Sequence, residues 1–324
     1  MIGAFGVSLE GKEPPDAMRD IAAAAEAAGA STLWIASHLF QREPIAVATA
    51  ALAATRRIGA ALMAMSPYTV HPVYAAMAAA TLDEYFPGRV QLCLGVGAPR
   101  DLEAAGVEAK EPLRTLREAI GVARALFAGE AIDFAGERFR VKGRRLATGA
   151  RRIPIVLAAS GPQMLELGGA AADGVLISAA TSPSFIRWCL EAVRRGEAAA
   201  GRSVRKIALV YSSVDANEKV AHDRLRRTLG FILRGSHHAR NLELAGTALD
   251  QQRLAACFAR EDWPEVDRLV TDEVLRRHAA SGTPDQLRAA FQRYRSVGLD
   301  EIVIAGAAGG DALRQILSVA ALAP

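Results

Sequence analysis

Ile58-Gly59-Ala60-Ala61-Leu62-Met63-Ala64-Met65, continued by Ser66-Pro67-Tyr68-Thr69-Val70-His71-Pro72, is the stretch that decides how this chain folds. The first eight residues form a short apolar run that reads as a buried strand. Val73–Tyr85 reads as a helix, with Pro72 placed at its first turn, where the missing N–H costs nothing. The loop between them is rich in polar groups and proline and carries an aromatic ring. Such a loop, leaving a strand and opening a helix, is suited to holding a ligand. A second apolar run, Val90–Gly95, follows the helix, so the unit is strand, helix, strand.

Working outward, the same alternation continues to both ends. Ile2–Ser8, Leu33–Ile35, Ile155–Ala159, Gly174–Ile177, Lys206–Ser213 and Glu301–Ile304 read as further strands. Helices are predicted over Asp16–Ala28, Ile45–Ala54, Leu113–Phe127, Met164–Ala172, Ser184–Ala199 and Asp311–Ala320, and a small hairpin over Ile132–Val141. Three junctions share one grammar: Ala28-Gly29, Ala172-Asp173-Gly174 and Val297-Gly298 each close a helix on glycine just before a buried strand. Eight strand–helix pairs predict an α/β fold, a (β/α)8 TIM barrel. The rival is a doubly wound sheet, but the first strand lacks the G-x-G-x-x-G turn expected there. Residues 1–324 are expected to form one barrel domain. The helical region of about 217–278, between the seventh and eighth strands, is expected to be an insertion that covers the site or builds a subunit interface.

Composition narrows the class. The chain has 324 residues, 51% hydrophobic and 23% charged, with a formal net charge of +4 and a pI near 9.1. Its charges are mixed along helices instead of massed, which argues against nucleic acid and leaves room for an anionic small ligand. Cys93, Cys189 and Cys257 are scattered, giving neither a disulfide framework nor a metal cluster, so a cytoplasmic location is expected. No signal peptide or membrane span is expected. His237-His238 with His222 suggests no metal site.

In a barrel, ligands bind at the C-terminal ends of the strands. His38, after the second strand, is the candidate catalytic residue, able to give a proton or hydrogen-bond a cofactor. Ala159, Ser160, Gly161, Pro162 and Gln163 leave the fifth strand and open a helix, where free N–H groups and the helix dipole favour a phosphate. An ordinary capped helix, with Ser160 as N-cap, is the alternative. Gly95, Val96 and Gly97 leave room for a planar ring, though a tight turn accounts for them equally well. Ser66, Tyr68, His71 and Ser178 are candidate walls of a substrate pocket, and His71 also reads as the residue that opens the third helix. Arg144, Arg145, Arg151 and Arg152 can meet an acidic tail or simply face solvent.

Taken together, these phrases resemble the bacterial luciferase-like flavin and deazaflavin oxidoreductases, and most closely the methylene-tetrahydromethanopterin reductase branch. The resemblance is carried by Glu26-Ala27-Ala28-Gly29, the Pro67–Pro72 run, Thr81-Leu82-Asp83-Glu84 with Gly88-Arg89, Leu94–Gly97, Gly161–Leu167 and Ala172–Val175. It implies a hydride-transferring oxidoreductase that uses the deazaflavin coenzyme F-420 (F420) on a small organic, possibly pterin-like substrate. It further implies that Met63, Ala64 and Met65 form a bulge backing the cofactor ring, with a non-proline cis peptide at Met63–Ala64. The Ser160–Gln163 turn would hold the cofactor phosphate, and Gly95–Gly97 would line its ribityl side. An FMN-dependent monooxygenase, fed by a separate flavin reductase, is the alternative, and a cofactor-free relative is the third reading. A homodimer is expected from the family. Two positions depart from its pattern. Ser37-His38 stands where many members have Asp-His, and Met63 stands where the reductase branch usually has glycine.

Overall fold

The computed structural model describes residues 4–321. In chain order its elements are β1 (Ala4–Leu9), α1 (Pro15–Ala27), β2 (Thr32–Ala36), α2 (Pro44–Ala53), β3 (Gly59–Met65), α3 (Pro72–Tyr85), β4 (Val90–Leu94), α4 (Pro99–Ala104) and α5 (Pro112–Phe127). An antiparallel hairpin, β5 (Ile132–Ala135) and β6 (Arg140–Arg144), comes next. It is followed by β7 (Ile155–Ala158), α6 (Pro162–Ala171), β8 (Gly174–Ile177), α7 (Pro183–Ala200) and β9 (Arg205–Val214). Five helices then form a cap: α8 (Glu218–Leu233), α9 (Ala239–Ala245), α10 (Gln251–Ala259), α11 (Trp263–Leu269) and α12 (Asp272–His278). The chain finishes with β10 (Ala280–Gly282), α13 (Pro284–Arg295), β11 (Glu301–Ala305) and α14 (Gly310–Ala321).

Strands β1, β2, β3, β4, β7, β8, β9 and β11 pair in parallel and close on themselves, because β9 pairs with both β8 and β11 and β11 pairs with β1. This is the predicted (β/α)8 barrel, and all eight barrel strands fall where the apolar runs place them. Of the predicted first strand, Ile2 and Gly3 lie outside the described residues. Two features go beyond the sequence reading. The six-residue α4 is too short to show a helical period, and the three-residue β10 extends the sheet beside the end of β9.

Proline sets the helix starts. Pro15, Pro44, Pro72, Pro162, Pro183 and Pro284 each occupy the first helical position, where φ is already helical and no donor is lost. Alternate residues of the strands face opposite sides. Leu33 and Ile35 join the outer core under the helices, while Trp34, Ala61, Cys93, Val156, Leu176 and Val303 fill the lumen. The lumen residues form one apolar cluster with Leu225, Leu229 and Leu254 of the cap. The cap is therefore seated on the barrel through a shared core, with α8 lying against β9 and β10.

Candidate active site

Polar groups at the two ends of the barrel do different work. At the N-terminal end, the charged residues of the family-like phrases bind backbone. Glu26 accepts from the N–H groups of Arg56, Arg57 and Ile58, and those hydrogen bonds hold its carboxyl below the usual range. Asp83 accepts from Gly88 N–H at 2.9 Å, and Arg89 donates to Ile58 O and to Thr55. Burial would raise the Asp173 carboxyl, but the Ile155 N–H and the Arg124 and Arg202 guanidiniums hold it low. Arg151 meets Glu84 and Asp83 at this end too, away from any mouth-bound ligand. These residues fix strand starts and carry no chemistry.

The C-terminal mouth is built differently. The β3–β4 register shifts between Leu62 and Met65, so Met63 and Ala64 bulge out of the ladder, and the Met63–Ala64 peptide is cis. A second non-proline cis peptide, Ser178–Ala179, ends β8. Ala64, Ala158 and Ala179, each half-buried, close three strand ends with side chains of one carbon. Met63 is half-buried beside them, whereas Met65 is fully buried in the outer core and turned away from the mouth. At Gly95, a Cβ would sit 2.9 Å from Ala64 Cβ and 3.3 Å from Ala158 Cβ, so its missing side chain lets these strand ends approach. Gly97 has φ +99°, a conformation suited to glycine. Val96 accepts the Ser66 hydroxyl at 2.6 Å.

Ser66 is thereby committed to its own loop, and Tyr68 donates its phenol to Lys110 O at 2.6 Å. His71 is exposed. Its Nδ1 accepts from Val73 N–H at 3.2 Å and its ring meets Phe139 edge-on. The loop wall is thus held by internal bonds, and His71 acts as a helix cap. Ser178 stays half-exposed at the mouth.

The turn after β7 is open. Gly161, not Ser160, is the N-cap of α6, and no side chain caps the helix. Pro162 has no N–H, so the Gln163 and Met164 N–H groups stand uncapped, and a Cβ at Gly161 would meet nothing within 4 Å. Ser160 through Gln163 are exposed. This is a cradle with free donors and room for a phosphate.

His38 is half-exposed at the end of β2, and its Nδ1 lies 3.4 Å from Asp101 Oδ2. The carboxylate missing at position 37 is supplied through space by α4. Sequence reasoning missed Asp101 because α4 is too short to announce itself. Glu10, past β1, was missed as well. Its Oε1 is buried with no hydrogen-bond partner among the described residues, and burial together with this carboxylate pushes the Tyr211 phenol up. Opposite, Asn241 of the cap donates to Ala180 O at 2.9 Å and accepts from Ser182 N–H at 3.0 Å. His278 Nδ1 reaches the same carbonyl at 3.2 Å, which fixes its proton on Nδ1 and lets Nε2 accept from Thr247. The cap therefore clamps the loop that follows β8.

Among the described residues, no group of three or more His, Cys, Asp and Glu is placed to hold a metal. His222 has a carboxylate one helical turn away, with Glu218 Oε1 3.9 Å from Nε2. No described helix is long and apolar enough to cross a membrane. Two surface clefts, of about 410 and 650 Å³, lie at the barrel's N-terminal end and on the cap; the first is lined by Arg151 and Arg152, and neither contains the predicted mouth residues.

A family model described as luciferase-like monooxygenase matches residues 2–301. The chain belongs to this family. It is an oxidoreductase of the luciferase-like type. Among its relatives, the 5,10-methylenetetrahydromethanopterin reductase of Archaeoglobus fulgidus is 31% identical over 300 residues, covering 90% of each chain. The F420-dependent glucose-6-phosphate dehydrogenase of Nakamurella multipartita is 29% identical, covering 89% of this chain and 86% of its own. Among solved structures, the coenzyme F420-dependent tetrahydromethanopterin reductase of Methanopyrus kandleri superposes with a TM-score of 0.91. It is 23% identical and covers 100% of this chain and 98% of its own. That likeness establishes the shared luciferase-like barrel.

Proposed function

We propose that this luciferase-like protein transfers hydride between the deazaflavin coenzyme F420 and a small organic substrate, with a reduced pterin as the leading candidate. The carrying observation is the mouth itself. A platform of Ala64, Ala158 and Ala179 offers a flat apolar seat, and the uncapped start of α6 offers phosphate donors at its edge. The relatives' F420 and methylenetetrahydromethanopterin chemistry supports the same reading.

When bound, this coenzyme supplies a hydride at C5 of its ring and does not activate oxygen, so the protein's task is alignment. Ala64, Ala158 and Ala179 would carry the ring, and Gln163 and Met164 N–H groups with the Ser160 hydroxyl would hold the phosphate. The Asp101 carboxylate, 3.4 Å from His38 Nδ1, would help to orient the imidazole. His38, half-exposed at the end of β2, would then hold or give the proton that accompanies hydride transfer. The cap, clamped to Ala180 through Asn241 and His278, excludes water from that side.

The test is a fluorescence titration of the purified protein with F420 and with FMN. Micromolar or tighter F420 binding and weak FMN binding are expected. Tight FMN binding accompanied by oxygen consumption would overturn the proposal.

A further inference from the structure

We infer that Arg100 and Arg234 form a receiving site for a phosphate or carboxylate group of a ligand lying in the barrel mouth. Arg100 belongs to α4, beside Asp101, and Arg234 follows the C-terminal end of α8 in the cap. Both guanidiniums lie over the Phe231 ring, 5.4 and 3.7 Å from its centroid, and Arg234 also lies 5.0 Å from the Phe258 centroid. The cap and the loop after β4 therefore meet through two cations and one half-exposed ring.

Charge makes this seam unusual. Many of the cap's arginines meet a carboxylate: Arg224 with Asp215, Arg227 with Asp267, Arg276 with Glu218 and Arg277 with Glu273. Among the described residues, neither Arg100 nor Arg234 has a carboxylate at ion-pair distance, and Arg234 donates only to Phe231 O. Burial lowers the affinity of the Arg234 guanidinium for its proton, and the Arg100 charge lowers it further. Two like charges within 5.4 Å of one ring centroid repel each other, and an anion that meets both relieves that repulsion. Arg100 is the chain neighbour of Asp101 in α4, which puts the pair on the cap side of the barrel mouth.

The inference rests on the mouth as the ligand site. It does not require a pterin substrate. Its test uses the full chain as wild type, Arg100→Gln, Arg234→Gln and the double variant. Fluorescence titration compares F420 with its phosphate-free 5-deazariboflavin core, and calorimetry measures inorganic pyrophosphate binding to the protein with and without F420. An F420 affinity about ten-fold weaker in the double variant, with the core unaffected, assigns the site to the coenzyme's acidic tail. Unchanged F420 affinity with pyrophosphate binding lost assigns it to the second substrate. Equal affinities for both probes in all four proteins would overturn the inference. Arg234→Lys, which keeps the charge, should retain part of the affinity. Arg100→Gln, at an exposed position, carries the test if Arg234→Gln disturbs the cap. Wild-type protein that binds no F420 would instead count against the cofactor assignment, and the pyrophosphate arm would still read the arginine pair.

Discussion

Gly95→Ala tests the platform directly. The added methyl would lie 2.9 Å from Ala64 Cβ and 3.3 Å from Ala158 Cβ. Apolar carbons settle about 3.5–4.0 Å apart, so the Ala64 contact falls short by roughly 0.6–1.1 Å. Neither neighbour is the tip of a flexible side chain. Each Cβ is fixed to strand backbone, so β3 or β7 must move. Overpacking of this kind costs about 1–3 kcal/mol. At about 2–4 °C per kcal/mol, the melting midpoint should fall by roughly 2–12 °C. Because Ala64 is part of the seat, F420 should bind more weakly as well. Gly161→Ala is the control: φ is −87° and a Cβ there meets nothing within 4 Å, so the midpoint should hold. Thermal melts by circular dichroism and F420 fluorescence titration read the two effects. Wild-type stability and affinity in Gly95→Ala would refute the packing argument.

Three further outcomes follow from the geometry. Asp101→Asn keeps the size of the side chain but removes the charge facing His38 Nδ1, so kcat should fall about ten-fold or more with F420 affinity unchanged; an unchanged kcat would remove Asp101 from the mechanism. Glu301 is buried in the barrel, accepts from Trp34 Nε1 at 3.0 Å and pairs with Arg205 at 2.5 Å. Glu301→Ala strands the buried Trp34 N–H while Arg205 stays 41% exposed, so it should cost about 1–3 kcal/mol in urea unfolding, and an unchanged midpoint would contradict a structural role for Glu301. Burial, together with nearby cationic charge, pushes His238 down to about 3 and His278 to about 4, against about 6.5 in the unfolded chain. The unfolded state therefore takes up these protons first. Stability should be intact above pH 6.5 and fall below it by about 1.4 kcal/mol per pH unit for each histidine. Urea midpoints at pH 7, 6 and 5 measure this, His278→Gln should flatten the slope, and a constant midpoint across that range would show that these rings are not buried neutral.

Local chemistry made much of this legible. Each barrel strand is a mainly apolar run, and each such run found its place, because a strand covered on both faces cannot be mostly polar. Proline at the first turn and glycine at the close marked most helices for equally local reasons. The Ser160–Gln163 turn could be read from its small residues as either an anion cradle or a helix capped by Ser160, and the structure puts the N-cap at Gly161 with no side-chain cap. The close approach at Gly95 was not legible, because it involves Ala64 and Ala158, which come from other strands. His71 was legible as the residue that opens the third helix, and its Nδ1 caps that helix.

The sequence by itself determined the alternation of strand and helix, the closed barrel it implies and the strand ends at which a ligand would lie. Those follow from periodicity and turn residues, which act over a few positions. Only the tertiary structure brought Asp101 to His38, set Arg100 and Arg234 over one ring and tied the cap to Ala180. Each of these joins residues far apart in the chain, and their contact depends on barrel closure and on where the cap seats, neither of which any local pattern encodes.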